Sequence, residues 1–199
     1  MHRSLLLFGT FLLGGSAIAA PSDIHGELSD AGQVIVAAAN KMLEDLPRQN
    51  IPIIGAKCLR RQLNDMSTGD AGDVLRAAAS EDAADLAAVK ELVAKATQQE
   101  QAGRVSERDR PLLRNMGLFV IDGGYNNQVF DDTICKSLIS ASAPLIDGDH
   151  ALLVVRYTTE EISGGFSIPM LLKRGRSTWY VSVQGEGVFL HVNQRPDQE

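Results

Sequence analysis

The residues able to do chemistry are few and widely spaced. Cys58 and Cys135 are the only cysteines in the 199-residue chain and lie 77 positions apart. A catalytic thiol pair is normally a Cys-x-x-Cys motif, which neither cysteine forms, so the spacing favours a structural Cys58–Cys135 disulfide over a redox centre. The histidines His25, His150 and His191 show no metal-ligand spacing. Asp65, Asp70 and Asp73 alternate with Gly69 and Gly72 in the manner of a calcium loop. However, Gly69 falls at the fifth position and Arg76 at the twelfth, where a bidentate Glu is required, so these aspartates are read as helix caps. There is no G-x-S-x-G elbow, no GxxxxGK[ST] phosphate loop and no GxGxxG fingerprint. No metal site and no cofactor are expected. Acid/base work needs only two groups that meet in space, and Asp122, Asp131, Asp132, Glu160 and His191 are the available candidates.

Two surface loops carry groups that a partner could use. Lys173-Arg174-Gly175-Arg176 sets three cations on one turn of an acidic chain, a pattern that suits an acidic partner or simply a solvated turn. Tyr125 sits in the Gly123 to Asn127 segment as an aromatic tip. Tyr125, Lys173, Arg174 and Arg176 are therefore the partner-binding candidates, with no catalytic residue assigned.

The first twenty residues, MHRSLLLFGTFLLGGSAIAA, read as a cleavable signal peptide. Arg3 provides the positive start, Leu5 to Leu13 the apolar core, and Ala17-Ile18-Ala19 the small-x-small cleavage pattern. The core is too short to span a bilayer. The whole chain carries −6; losing Arg3 leaves 18 basic residues against 25 acidic ones, or −7. That balance opposes nucleic-acid binding. The predicted location is the periplasm or the exterior, with no membrane anchoring after cleavage. In an oxidising compartment the two cysteines are expected to pair.

The elements that must position these residues change character along the chain. Ala31, Val34, Ile35, Ala38, Met42 and Leu46 form one apolar stripe behind Ser29 or Asp30, which predicts a helix over 29–46 stopped by Pro47. Further helices are predicted over 56–66, from Asp70 or Asp73 onward to about Gly103, and from a Ser106–Asp109 capping box to Gly117. The Asp30-Ala31-Gly32 start recurs as Asp70-Ala71-Gly72, which reads as two similar helix starts and not as a solenoid. From Leu118 the pattern turns to strands. Asp147-Gly148 is the clearest hairpin signal, and the apolar run Ala151 to Val155 predicts a central strand covered on both faces. Phe166, Ile168, Met170 and Leu172 alternate with their neighbours, and Trp179, Val181 and Val183 do the same. The segment 130–143 fits either a helix or a strand.

The expected fold is therefore α+β: a helical N-terminal half (29–117), then a four- to five-stranded antiparallel meander (118–192). The division is a signal peptide at 1–20, one domain at 21–195 and a polar tail at 196–199.

The run FSIPMLLKRGRSTWYVSV, Phe166 to Val183, resembles the terminal hairpin of nuclear-transport-factor-2-like proteins, in which a basic Gly turn leads into a Trp-initiated strand. The resemblance spans about 118–192. It implies a curved sheet with a concave apolar face, in a family holding both enzymes and non-catalytic binding modules. Together these readings predict an exported, non-catalytic binding protein. It would be an inhibitor or immunity-type factor acting on a partner protein, or a binder of a small apolar ligand. The alternative is a small cone-sheet hydrolase or isomerase using an Asp/His pair.

Overall fold

A computed structural model describes residues 27–53, 55–66, 68–81, 83–96, 103–122, 135–159 and 165–190. The signal-peptide segment, Tyr125, Asp131, Asp132, Glu160 and His191 lie outside these residues.

The first helix, α1 (Asp30–Asp45), begins where the cap predicts: the Ser29 hydroxyl accepts the Gly32 N–H at 3.1 Å. Its stripe of Val34, Ile35, Ala38, Ala39 and Met42 is buried. Pro47 does not stop the chain outright. It falls at the start of a 3-10 turn, Leu46–Gln49, where its missing N–H costs nothing, and Asn50 closes that turn in the left-handed region. Strands β1 (Ala56–Arg60) and β2 (Gln62–Leu63) follow, then α2 (Thr68–Glu81), α3 (Ala83–Ala96), β3 (Gly103–Arg104) and α4 (Asp109–Asn115). Beyond Gly117 come β4 (Leu118–Ile121), β5 (Cys135–Ala141), β6 (Leu145–Asp147), β7 (His150–Thr159), β8 (Gly165–Arg174), β9 (Trp179–Gln184) and β10 (Val188–Leu190).

The class is α+β, but the predicted boundaries need correction. The helix expected over 56–66 is absent. Cys58, Leu59, Leu63 and Met66 do fall at helical spacing. The backbone of β1 is instead claimed by two parallel neighbours, β4 on one side and β5 on the other. Leu59 then points to the α1 side of the sheet while Cys58 packs in a separate cluster with Leu138 on the opposite side. Gly103 does not end a helix; it pairs with Leu63 in the small β2–β3 sheet. The helical half therefore also contributes strands, and the sheet is mixed rather than a purely antiparallel meander.

Among the described residues the main sheet has eight strands. Strands β5 and β6 both pair with one edge of β7, β7 pairs along its length with β8, and β9 and β10 share the far edge of β8. That antiparallel portion has six strands where four or five were expected, and β4, expected within the meander, instead pairs in parallel with β1, which pairs in parallel with β5. The Asp147-Gly148 signal holds: β6 turns into β7 through Gly148 and Asp149, with Gly148 at φ 54° and Asp147 opposite His150. The ambiguous 130–143 segment supplies strand β5.

Helices cover both faces of the sheet, which makes β7 central as expected. Ala151, Leu153, Val155 and Tyr157 of β7 and Phe166, Ile168, Met170 and Leu172 of β8 join the core beneath α1. On the other face, Val74 and Ala78 of α2 and Val89 and Leu92 of α3 pack on Leu152, Leu171 and Val183. The β9–β10 joint shows why glycines stand there. A Cβ at Gly185 would meet Pro169 Cγ at 2.7 Å and the Asp73 backbone at 3.3 Å, so a bare backbone lets α2 seat on the sheet. Pro169 lacks the N–H an edge partner would take. Only its carbonyl is used, accepting the Gly185 N–H at 2.9 Å.

Candidate functional site

The expected disulfide is present. Cys58 on β1 and Cys135 at the start of β5 are bonded, with 5.6 Å between their Cα atoms, and both are buried. Phe119, Ile121 and Leu138 pack around the bridge. It clasps two adjacent parallel strands, which supports the structural reading.

The cations of the β8–β9 hairpin are turned to internal use. Lys173 and Arg174 alternate across the sheet, so they reach opposite helical layers. The Lys173 ammonium lies 2.5 Å from the Asp85 carboxylate of α3, and Asp85 is only 4% exposed. Arg174 donates to Asp30 of α1 at 2.6 Å, stands 3.7 Å from Asp149, and stacks 4.6 Å from the Trp179 ring centroid. The hydrogen bond to Asp30 holds the Arg174 pKa up and the Asp30 pKa down. Arg176 is exposed at the tip. Of the acid/base candidates, Asp122 is exposed and accepts from Arg61 at 2.7 Å, and that bond lowers its pKa, the wrong direction for a general acid. Among the described residues no three His, Cys, Asp or Glu side chains are grouped to hold a metal.

A site assembled from residues distant in sequence lies on the α2 side of the sheet. Ser140 of β5, Arg156 of β7 and Ser167 of β8 are direct cross-strand neighbours, forming a polar row on a face that elsewhere carries Leu152 and Leu171. Arg60, one step beyond the Leu59–Ile139 pair, continues the row on β1. The floor passes beyond the N-terminus of α2, and a cleft of 580 Å³ opens there. Arg60, Asn64, Ser140, Arg156, Thr158 and Ser167 line it from the sheet, and Gly69, Asp70 and Asp73 from the helix.

The row is partly buried and incompletely satisfied: Ser140 and Arg156 are half-buried and Ser167 fully so. Arg156 donates through Nη2 to Asp70 at 3.3 Å, while its buried Nε has no hydrogen-bond partner among the described residues. Ser167 is 2% exposed and its hydroxyl also has none. Such atoms normally find partners, and leaving one unmade costs about 1–3 kcal/mol. Arg60 is 9% exposed. Asp73 leans outward to pair with Arg76, an exposed residue. The cleft thus offers two guanidiniums in its floor and two carboxylates in its helical wall. The planar guanidinium fork suits a carboxylate or similar oxyanion.

One sequence signal does point here: Arg156 interrupts the run Ala151 to Tyr157 at a position whose face is otherwise apolar. Comparison with known proteins leaves the site to speak for itself. No protein-family model matches the chain, and no curated protein or solved structure matches it.

Proposed function

We propose that this protein is an exported, non-catalytic binding protein that takes a small polar ligand in the Arg156 cleft. The observation carrying this reading is the polar row: Arg156 Nε and the Ser167 hydroxyl are withdrawn from water without hydrogen-bond partners among the described residues, and their side chains line a cavity of 580 Å³. A volume of that order holds a ligand of drug or metabolite size. The export rests on the N-terminal signal pattern, and the Cys58–Cys135 bridge is consistent with an oxidising compartment. No helix among the described residues is long and apolar enough to cross a membrane. The cleft is lined by arginines, carboxylates and hydroxyls, groups that hold a polar ligand by charge and hydrogen bonds.

The test is a thermal-shift screen of the mature chain against pooled small polar metabolites, followed by calorimetric titration of the hits. A hit that raises the melting temperature in the parent and not in Ser167→Ala supports the cleft. Hits indifferent to Ser167→Ala place binding elsewhere.

A further inference from the structure

We infer that the cleft selects a ligand bearing a carboxylate next to a protonated amine, as in a free amino acid or the end of a short peptide. The inference rests on the binding reading above and names its chemistry. The Arg156 guanidinium and the Asp70 carboxylate stand side by side on the cavity as a pair of net charge zero. A ligand of net charge zero enters such a site without leaving an uncompensated charge behind. The two signs come from different elements, strand β7 and the first turn of α2, and meet 3.3 Å apart, which matches a carboxylate and an amine carried close together on one molecule.

The floor supplies the anion site. Arg156 Nε is a donor without an acceptor among the described residues, and the Ser167 hydroxyl, on its direct cross-strand neighbour, is a second such group. A carboxylate set between them takes both hydrogen bonds, in the charge-assisted geometry that arginine favours. The wall supplies the cation site, since the Asp70 carboxylate faces the same cavity from α2. A dianion such as phosphate would meet the floor equally well, yet the Asp70 carboxylate stands beside it as a like charge. Proximity of the Asp70 carboxylate therefore turns a general oxyanion site into one for a dipolar molecule.

The test is calorimetric titration of the mature, oxidised protein with three probe sets: the common amino acids together with dialanine, succinate, and inorganic phosphate. The expected result is saturable binding within the first set, weakened about tenfold or more by Arg156→Lys, which keeps charge but loses the fork. Ser167→Ala, a small change that guards against misfolding, is expected to weaken it about fivefold or more. Lys90→Ala, at an exposed position of α3, leaves it unchanged. If succinate or phosphate binds more tightly than every amino acid and the peptide, with the same dependence on Ser167, the dipolar selectivity is overturned and the cleft reading stands. Binding by no probe set overturns this inference, and a metabolite screen that also yields no Ser167-dependent hit overturns the cleft reading.

Discussion

Replacing both cysteines with alanine removes the one covalent link between the two parts of the chain, and its cost follows from the loop it closes. Cys58 and Cys135 are 77 residues apart. In the chain-entropy treatment a cross-link over that span lowers the entropy of the unfolded chain enough to stabilise the fold by about 4.5 kcal/mol. Both sulfurs are buried against Phe119, Ile121 and Leu138, so Cys58→Ala/Cys135→Ala also loses packing, and the cross-link figure is a floor. For a chain of this size each kcal/mol moves the melting temperature by roughly 2–4 °C, which gives a fall of about 9–18 °C. Urea unfolding followed by circular dichroism separates the contributions. The freed unfolded chain exposes more surface, so the dependence on denaturant steepens as the midpoint falls. Because the bond is buried, reductant must be added above the midpoint and the protein refolded with it; this reduced parent isolates the cross-link from the packing. A melting temperature within about 3 °C of the parent, at unchanged denaturant dependence, would refute the reasoning.

Three further outcomes are expected. Lys173→Met strands the Asp85 carboxylate, which is 4% exposed, and lowers stability by about 3 kcal/mol in urea melts; Lys173→Met/Asp85→Leu recovers most of it, and a single variant within about 0.5 kcal/mol of the parent counts against a buried pair. Gly187→Ala sets a Cβ well inside contact distance of Phe166 Cζ, so the buried ring must shift; a loss of about 1–3 kcal/mol is expected, and an unchanged urea midpoint would show that the ring yields freely. The hydrogen bond from Arg174 lowers the Asp30 pKa below the ordinary 3.8, so the pair stabilises the fold above that value and the contribution is lost as pH falls through the lowered one. Asp30→Asn is therefore less stable than the parent at neutral pH and converges on it in strong acid; a gap that persists there would mean that charge is not the cause.

Local order was legible in the sequence and long-range order was not. Helix α1 declares itself because cap, stripe and length all lie within one segment. The β6–β7 hairpin declares itself because Gly148 alone satisfies its turn. Strand β1 does not. It is five residues long, and the chains that pair with it are β4, about 60 residues on, and β5, about 80 on. Its segment reads as well in the helical period as in the strand period until those neighbours are known. The capping box at Ser106 shows the same limit. The Asp109 carboxylate does not reach back to Ser106. It accepts the Ser29 N–H at 2.9 Å and the Ser29 hydroxyl, holding the start of α1 from 80 residues away. The cleft is composed entirely of such distant relations, since its lining comes from β1, β5, β7, β8, β10 and α2. Only the charge of Arg156 within an apolar run marks it from the sequence.

The same widening of the sheet that the sequence concealed also creates the site, and this links the disulfide to binding. Helices α2 and α3 cover the sheet from β6 to β9. Adding β1 and β4 in parallel beside β5 extends the floor past that cover, and the polar row emerges where the cover ends. Arg60 stands two residues after Cys58 on one face of β1, about 7 Å along the strand. The bridge to Cys135 clasps β1 to β5, the strand that carries Ser140. Arg60 and Arg156 are therefore held at a fixed separation partly by that bond. Ligand affinity is expected to fall on reduction under conditions where circular dichroism still reports a folded chain. The comparison is titration of the hit ligand into oxidised protein and into folded Cys58→Ala/Cys135→Ala. Equal affinities would show that the hydrogen bonds of the parallel ladder hold the floor without the bridge.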